Sequence, residues 1–196
     1  MCSNYESNGS AKDLEGRFDL PCLPLMPNKQ NIRPTDVALI IDANRTMRLL
    51  PWGIPQPWQD GKNAQPIINA RAETIDQKPT FRPLLSRRCL VPATAWFEWR
   101  EVGGNKLKNQ INLKDEPLFA FAGLASDSHF TIITCEPVPS IAHIHSRMPV
   151  VLTPAAENAW LDVDSPFEAV AKHLAPYAGC PLGFNEEQPV QSDLFT

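Results

Sequence analysis

No apolar run in the 196-residue chain approaches the ~20 residues of a membrane span, which argues against a transmembrane helix. No basic segment leads into an apolar stretch near the start, so no secretory signal is evident. The five cysteines, Cys2, Cys22, Cys89, Cys135 and Cys180, form no CxxC pair. Their odd number and scatter suggest neither a disulfide framework nor a zinc site, so no metal and no cofactor is expected. A reducing, cytoplasmic setting fits best. Positive charge is not in excess: the net charge is −4 and the pI about 5.6. That argues against coating nucleic acid through bulk charge and leaves a local basic patch open. No internal repeat is visible.

The twenty prolines are about twice the usual share and are spread through the chain, as turns between short elements require. The length suits one domain with a sizeable core. Arginines gather in the middle (Arg71, Arg82, Arg87, Arg88, Arg100, Arg147), and acids gather late (Glu157, Asp162, Asp164, Glu168, Glu186, Glu187, Asp193). Such segregation is expected of a domain with one anion-facing side.

VALIIDA (37–43), a polar turn and MRLLPWG (47–53) read as a hairpin. PIINARAET (66–74) begins as a strand and ends polar. RCLVPATAWFEWR (88–100), NQINLKDEPLFAFAGLA (109–125), HFTIITCEP (129–137) and MPVVLT (148–153) contain strand-like runs. Helical signals come late: Thr153-Pro154 caps AAENAWL, and Ser165-Pro166 with Glu168 forms a capping box for PFEAVAKHL. The expected architecture is α+β: one domain over 1–182, with a curved, mostly antiparallel, barrel-like sheet core and a few peripheral helices. From Gly183 a polar, flexible tail runs to Thr196.

The chain starts MCSNY. A cell trims Met1 when the next side chain is small, which would leave Cys2 with a free α-amine and a thiol on adjacent carbons. This 1,2-aminothiol condenses with an aldehyde to an imine, and the sulfur then closes a thiazolidine ring. Glu98, between Phe97 and Trp99 on a strand, points opposite to both. Turned into a dry pocket, it becomes a proton shuttle near neutral pH; facing water, it is an ordinary acid. His145 lies in a short polar loop, and Asn69 at the end of a strand. By default Arg71 and Arg147 are surface charges and Trp52 is core.

Read together, MC at the start, PWG, NARAET, WFEW after RCLVPA, and HSRMP resemble the motif set of the SOS-response-associated peptidase (SRAP) family, in order from residue 2 to about 152. The resemblance implies a protein that finds abasic sites in single-stranded DNA and traps their aldehyde covalently on Cys2. In that reading Glu98 moves protons, His145 assists opening of the deoxyribose ring, and Asn69 holds Cys2. Arg71 and Arg147, with Arg88 as a weaker candidate, contact phosphates, and Trp52 and Pro34 stack on or wedge beside bases. An imine that escapes ring closure allows β-elimination and strand cleavage. The word peptidase refers to removal of Met1, proposed to be self-catalysed. The family commonly reads Cys-Gly-Arg where this chain has Cys2-Ser3-Asn4, so one expected phosphate contact is missing.

At the far end Gln191, Leu194 and Phe195 resemble the QxDLF-type peptide by which bacterial replication proteins grip the sliding clamp. A monomer suffices for all of this, cytoplasmic and nucleoid-associated when on damaged DNA. Two other classes remain open: a reversible binder of single-stranded or gapped DNA, and a cysteine peptidase acting in trans through Cys2, His145 and Glu98.

Overall fold

The computed structural model describes residues 2–20, 29–56 and 65–187. The expectations for Met1, Gln191, Leu194 and Phe195 fall outside them. The strands are β1 (Tyr5–Ser7), β2 (Lys29–Ile32), β3 (Val37–Asp42), β4 (Met47–Pro51), β5 (Asn69–Arg71), β6 (Arg88–Ala93), β7 (Ala95–Val102), β8 (Asn105–Leu113), β9 (Phe119–Ala125), β10 (Phe130–Cys135), β11 (Met148–Pro149), β12 (Val151–Leu152) and β13 (Leu182–Glu186). The helices are α1 (Ala11–Phe18), α2 (Pro154–Leu161) and α3 (Phe167–Val170).

Two sheets form. The first runs β13-β8-β7-β1-β2. The second runs β11-β10-β9-β6-β3-β4, with β12 beside β9 and β5 beside β10. The strand pairs are antiparallel except β5, which runs parallel to β10. The α+β, mostly antiparallel expectation holds, with one refinement: neither sheet closes on itself, so the core is a pair of open sheets rather than a barrel.

Local chemistry explains the turns. In the β3–β4 hairpin Asp42 Oδ1 accepts N–H bonds from Asn44 and Thr46, both at 3.0 Å. The β7–β8 hairpin turns at Gly103 and Gly104, whose φ values of 56° and 82° match the primed two-residue turn that glycine favours. The sheets meet through aromatic rings. Tyr5 on β1 and Trp96 on β7 meet Phe121 on β9 edge-on, with centroids 5.8 and 6.0 Å apart. β9 is buried along its whole length, which is why FAFAGLA shows no polar alternation. A Cβ on Gly123 would sit 2.9 Å from Cys89 Sγ on the neighbouring strand, so that position needs glycine.

Three expectations need correction. Helices do not come only late. Ser10 and Asp13 form a capping box, Asp13 N donating to Ser10 Oγ (3.2 Å) and Ser10 N to Asp13 Oδ2 (2.9 Å), and this starts α1. Thr153 caps α2 as expected, but Ser165 does not cap α3; its hydroxyl donates to Asp162 Oδ2 at 2.6 Å, and only Phe167–Val170 is α-helical before a 3-10 turn. Nor does chain order end at Leu182. Gly183 to Glu186 continue β13 along β8, held by Arg100 Nε donating to Glu186 Oε2 at 2.6 Å.

Arg88 is also corrected. It is buried (4% exposed), and its guanidinium donates to the carbonyls of Trp160 (2.6 Å), Leu85 (3.1 Å), Ser165 (3.0 Å) and Asp162. It ties β6 to the end of α2 and is not offered to a phosphate. Arg88→Met should therefore cost about 3 kcal/mol of stability, because four carbonyls lose their donor inside the protein. A denaturant titration would read this as a lower midpoint.

Candidate functional site

β1 lies antiparallel to β7, with Tyr5 opposite Trp96 and Phe97 N donating to Asn4 O at 3.0 Å. This pairing lays the start of the chain along the strand that carries Glu98. Cys2 is 0% exposed. Burial first, and the nearby Glu98 carboxylate second, push its thiol well above the ordinary range. Its Sγ faces Asn4 O at 3.7 Å. Asn69 is delivered by β5, where it stands opposite Ile132 of β10. Its Nδ2 donates to Cys2 O at 2.7 Å. Two strands remote in sequence thus grip the first residues of the chain.

Alternation along β7 sends Trp96 and Glu98 to one face and Phe97 and Trp99 to the other. The Phe97 ring has Lys108 Nζ 4.1 Å from its centre. Glu98 is 1% exposed, and burial raises its carboxyl to about 7. His145 Nε2 lies 3.9 Å from Glu98 Oε2. At the other side of the ring, Arg147 N–H donates to Nδ1 at 3.0 Å, and Arg147 O is 3.2 Å away. The two contacts are alternatives. A neutral ring accepts from the N–H and carries its proton on Nε2; an imidazolium donates to the carbonyl. Burial lowers the pKa of His145, which favours the neutral form, with Nε2–H facing Glu98. In front of this pair opens a cleft of roughly 520 Å³, lined by Ser3, Glu98, Trp99, Glu101, Lys106 and His145.

Cys2, Asn69, Glu98 and His145, from four separate segments, therefore come together. The residues expected to hold DNA fare less evenly. Arg71 is exposed at the end of β5, on the same face as Asn69. Arg147 is occupied: it forms a two-pronged pair with Glu73 (2.8 and 2.9 Å) and donates to Thr134 O at 2.6 Å. This pair ties the HSRMP loop to the turn after β5. Pro34 is half-buried in the turn between β2 and β3. Trp52 is corrected to core: it is 0% exposed, donates Nε1–H to Ile68 O at 2.8 Å and stacks on Phe130 at 6.5 Å.

The arginine cluster read from sequence is largely spent on protein partners: Arg87 on Asp127, Arg100 on Glu186 and Arg82 on Asp76 O. Ser3 and Lys106 were missed as cleft residues. The glycine pair that folds β7 onto β8 was the available signal for Lys106, since it sets Lys106 opposite Glu101. Among the described residues no group of His, Cys, Asp and Glu is arranged to hold a metal ion, and no helix is long and apolar enough to cross a membrane.

Fold and cluster define a class in which a cysteine at the start of the chain is sealed into the core beside a buried carboxyl, an imidazole and an amide. The chain belongs to the SOS response associated peptidase (SRAP) family, which matches residues 1–192. It is 38% identical over 181 residues to the abasic site processing protein YoaM of Bacillus subtilis, covering 83% of this chain and 79% of that one. It is 32% identical over 164 residues to the abasic site processing protein YedK of Escherichia coli, covering 77% and 71%. A crystal structure from Bacteroides thetaiotaomicron superposes with a TM-score of 0.83 at 25% identity, over 95% of this chain and 92% of that one. One from Bordetella bronchiseptica gives 0.81 at 22% identity, over 96% and 100%, and speaks for the fold alone.

Proposed function

We propose that the chain processes abasic sites in single-stranded DNA by capturing them on Cys2, once Met1 is removed, as a covalent thiazolidine that shields the site. The observation that carries this reading is the grip of Asn69 on Cys2 beside the buried Glu98. The names of the relatives point the same way.

The chemistry balances with these groups alone. His145 Nε2–H donates to the sugar ring oxygen as the hemiacetal opens to the C1′ aldehyde. The α-amine, which titrates near 7.7–8.0 when unperturbed, attacks C1′ in its neutral form. The resulting carbinolamine takes a proton and loses water, giving an imine. The Cys2 sulfur then adds to C1′, its proton passing to the ring nitrogen. Aldehyde plus aminothiol becomes thiazolidine plus water. A carboxyl poised at about 7 both delivers and accepts protons at neutral pH, which suits Glu98 to each transfer. Asn69 contributes by holding amine and sulfur on the same side of the sugar.

The peptidase reading fits less well. A cysteine peptidase uses a thiolate of lowered pKa, and burial drives the Cys2 thiol the opposite way. Processed protein mixed with a single-stranded oligonucleotide bearing one abasic site should give a heat-stable band on a denaturing gel. Mass spectrometry should map the sugar to Cys2, and acetylating the terminus should abolish the product. Attachment at another residue, or equal reaction of the acetylated protein, overturns the proposal.

A further inference from the structure

The cleft in front of Glu98 continues around an edge. The register of β1 with β7 ends at Trp96, and from there the cleft turns from Glu98 and His145 on the inner side to Trp99, Glu101 and Lys106 on the outer side. Lys106 stands directly across the β7–β8 hairpin from Glu101 and is exposed. The hairpin is a rigid platform, closed by its paired glycines and ordered along seven residue pairs from Trp96–Ile111 to Val102–Asn105.

A polynucleotide that reacts at one sugar must leave the site in both directions, and each departing side carries a phosphate. The arginines that sequence offered for this are mostly committed. Arg147 is paired with Glu73, Arg88 is bonded to carbonyls, and Arg100 is paired with Glu186. Arg71 remains at the surface on the β5 side. On the hairpin side, Lys106 is the cation that lines the reactive cleft itself.

We infer that Lys106 binds the DNA phosphate flanking the reacting sugar on the β7–β8 side, opposite Arg71, so that the backbone is clamped from both flanks. This rests on the single-stranded DNA reading above. It adds a residue the motif set did not include, on strand β8 of the hairpin. Glu101 sits beside the phosphate path as a counterweight, repelling the same charge that Lys106 attracts.

The test uses reversible binding of an oligonucleotide carrying a tetrahydrofuran abasic analogue, which has no aldehyde and so cannot crosslink. In a salt series Lys106→Gln should lower the slope of log K against log salt by about 0.7, the value for one phosphate on a single strand. Binding near 50 mM salt should weaken about threefold to tenfold, and converge with the wild type at high salt. Lys106→Arg should restore the slope, and Glu101→Gln should tighten binding. Lys108→Gln, whose ammonium lies over Phe97, is the charge-matched control and should leave the slope alone. An unchanged slope in Lys106→Gln, or an equal loss in Lys108→Gln, overturns the assignment. Failure of the covalent reading would instead appear as no adduct with aldehyde-bearing DNA, so the two outcomes are distinguishable.

Discussion

Replacing Cys2 by alanine is expected to cut the heat-stable adduct by at least about a hundredfold, while imine formation persists. Alanine is small, so Met1 is still trimmed and an α-amine still stands at the chain start. The amine reaches the aldehyde and forms the imine, but no sulfur adds to C1′. Two observable consequences follow. A hydride reductant should trap the variant on DNA as a secondary amine. Without reductant, the positive charge on the protonated imine acidifies the neighbouring sugar protons, and β-elimination should nick the strand at a low level. The variant should remain folded, since losing one sulfur from a sealed site costs only about 1 kcal/mol. A heat-stable adduct of wild-type yield from Cys2→Ala would remove the thiazolidine from the mechanism.

Glu98→Gln should produce two effects of opposite sign. Adduct formation should slow about a hundredfold to a thousandfold, because glutamine moves no protons. The wild-type rate should rise with pH around a midpoint of about 7 as Glu98 ionises, and that limb should vanish in the variant. Stability should move the other way. An unfolded glutamate ionises near 4.3, whereas folded Glu98 does so at about 7. Between those values the folded chain holds a proton that the unfolded chain releases, so the wild type loses stability as pH rises through the window. The loss is absent below the unfolded pKa and complete above the folded one. Glutamine has no charge to bury. The variant should therefore be more stable than the wild type by roughly 3–4 kcal/mol near pH 8, and equal to it near pH 4. Equal stability at both pH values would mean that Glu98 is solvated after all.

The sequence was most legible where chemistry and local geometry coincide. Trp96-Phe97-Glu98-Trp99 reads as a strand with one acid among aromatics, and alternation alone turns Glu98 away from its neighbours. Thr153-Pro154 announces a helix start through hydrogen bonding within a few residues. Legibility failed where the partner is distant. Nothing near Arg88 reveals that Trp160, Asp162 and Ser165 return to supply carbonyls. Ser165 looks like a helix cap until Asp162 is seen competing for its hydroxyl. Trp52 offered equal grounds for surface or core; the carbonyl of Ile68 decided it. Gly183 to Glu186 look like a tail because an edge strand with one solvated side has no hydrophobic signature of its own. Only β8 and Arg100 make them a strand.

Because β1 finds its neighbour in β7, the proposed site is completed only after the middle of the chain has left the ribosome. Tyr5 pairs with Trp96, and Cys2 is held by Asn69. At about 5–20 residues per second, the nascent amino terminus waits several seconds or more before those partners emerge. On the proposed chemistry, an aminothiol freed during that interval would be unaimed, and aldehydes in the cell would meet an ordinary amine and thiol. Competence arrives only when the middle of the polypeptide folds back on its beginning, and any added leader sequence would occupy the place where that closure happens.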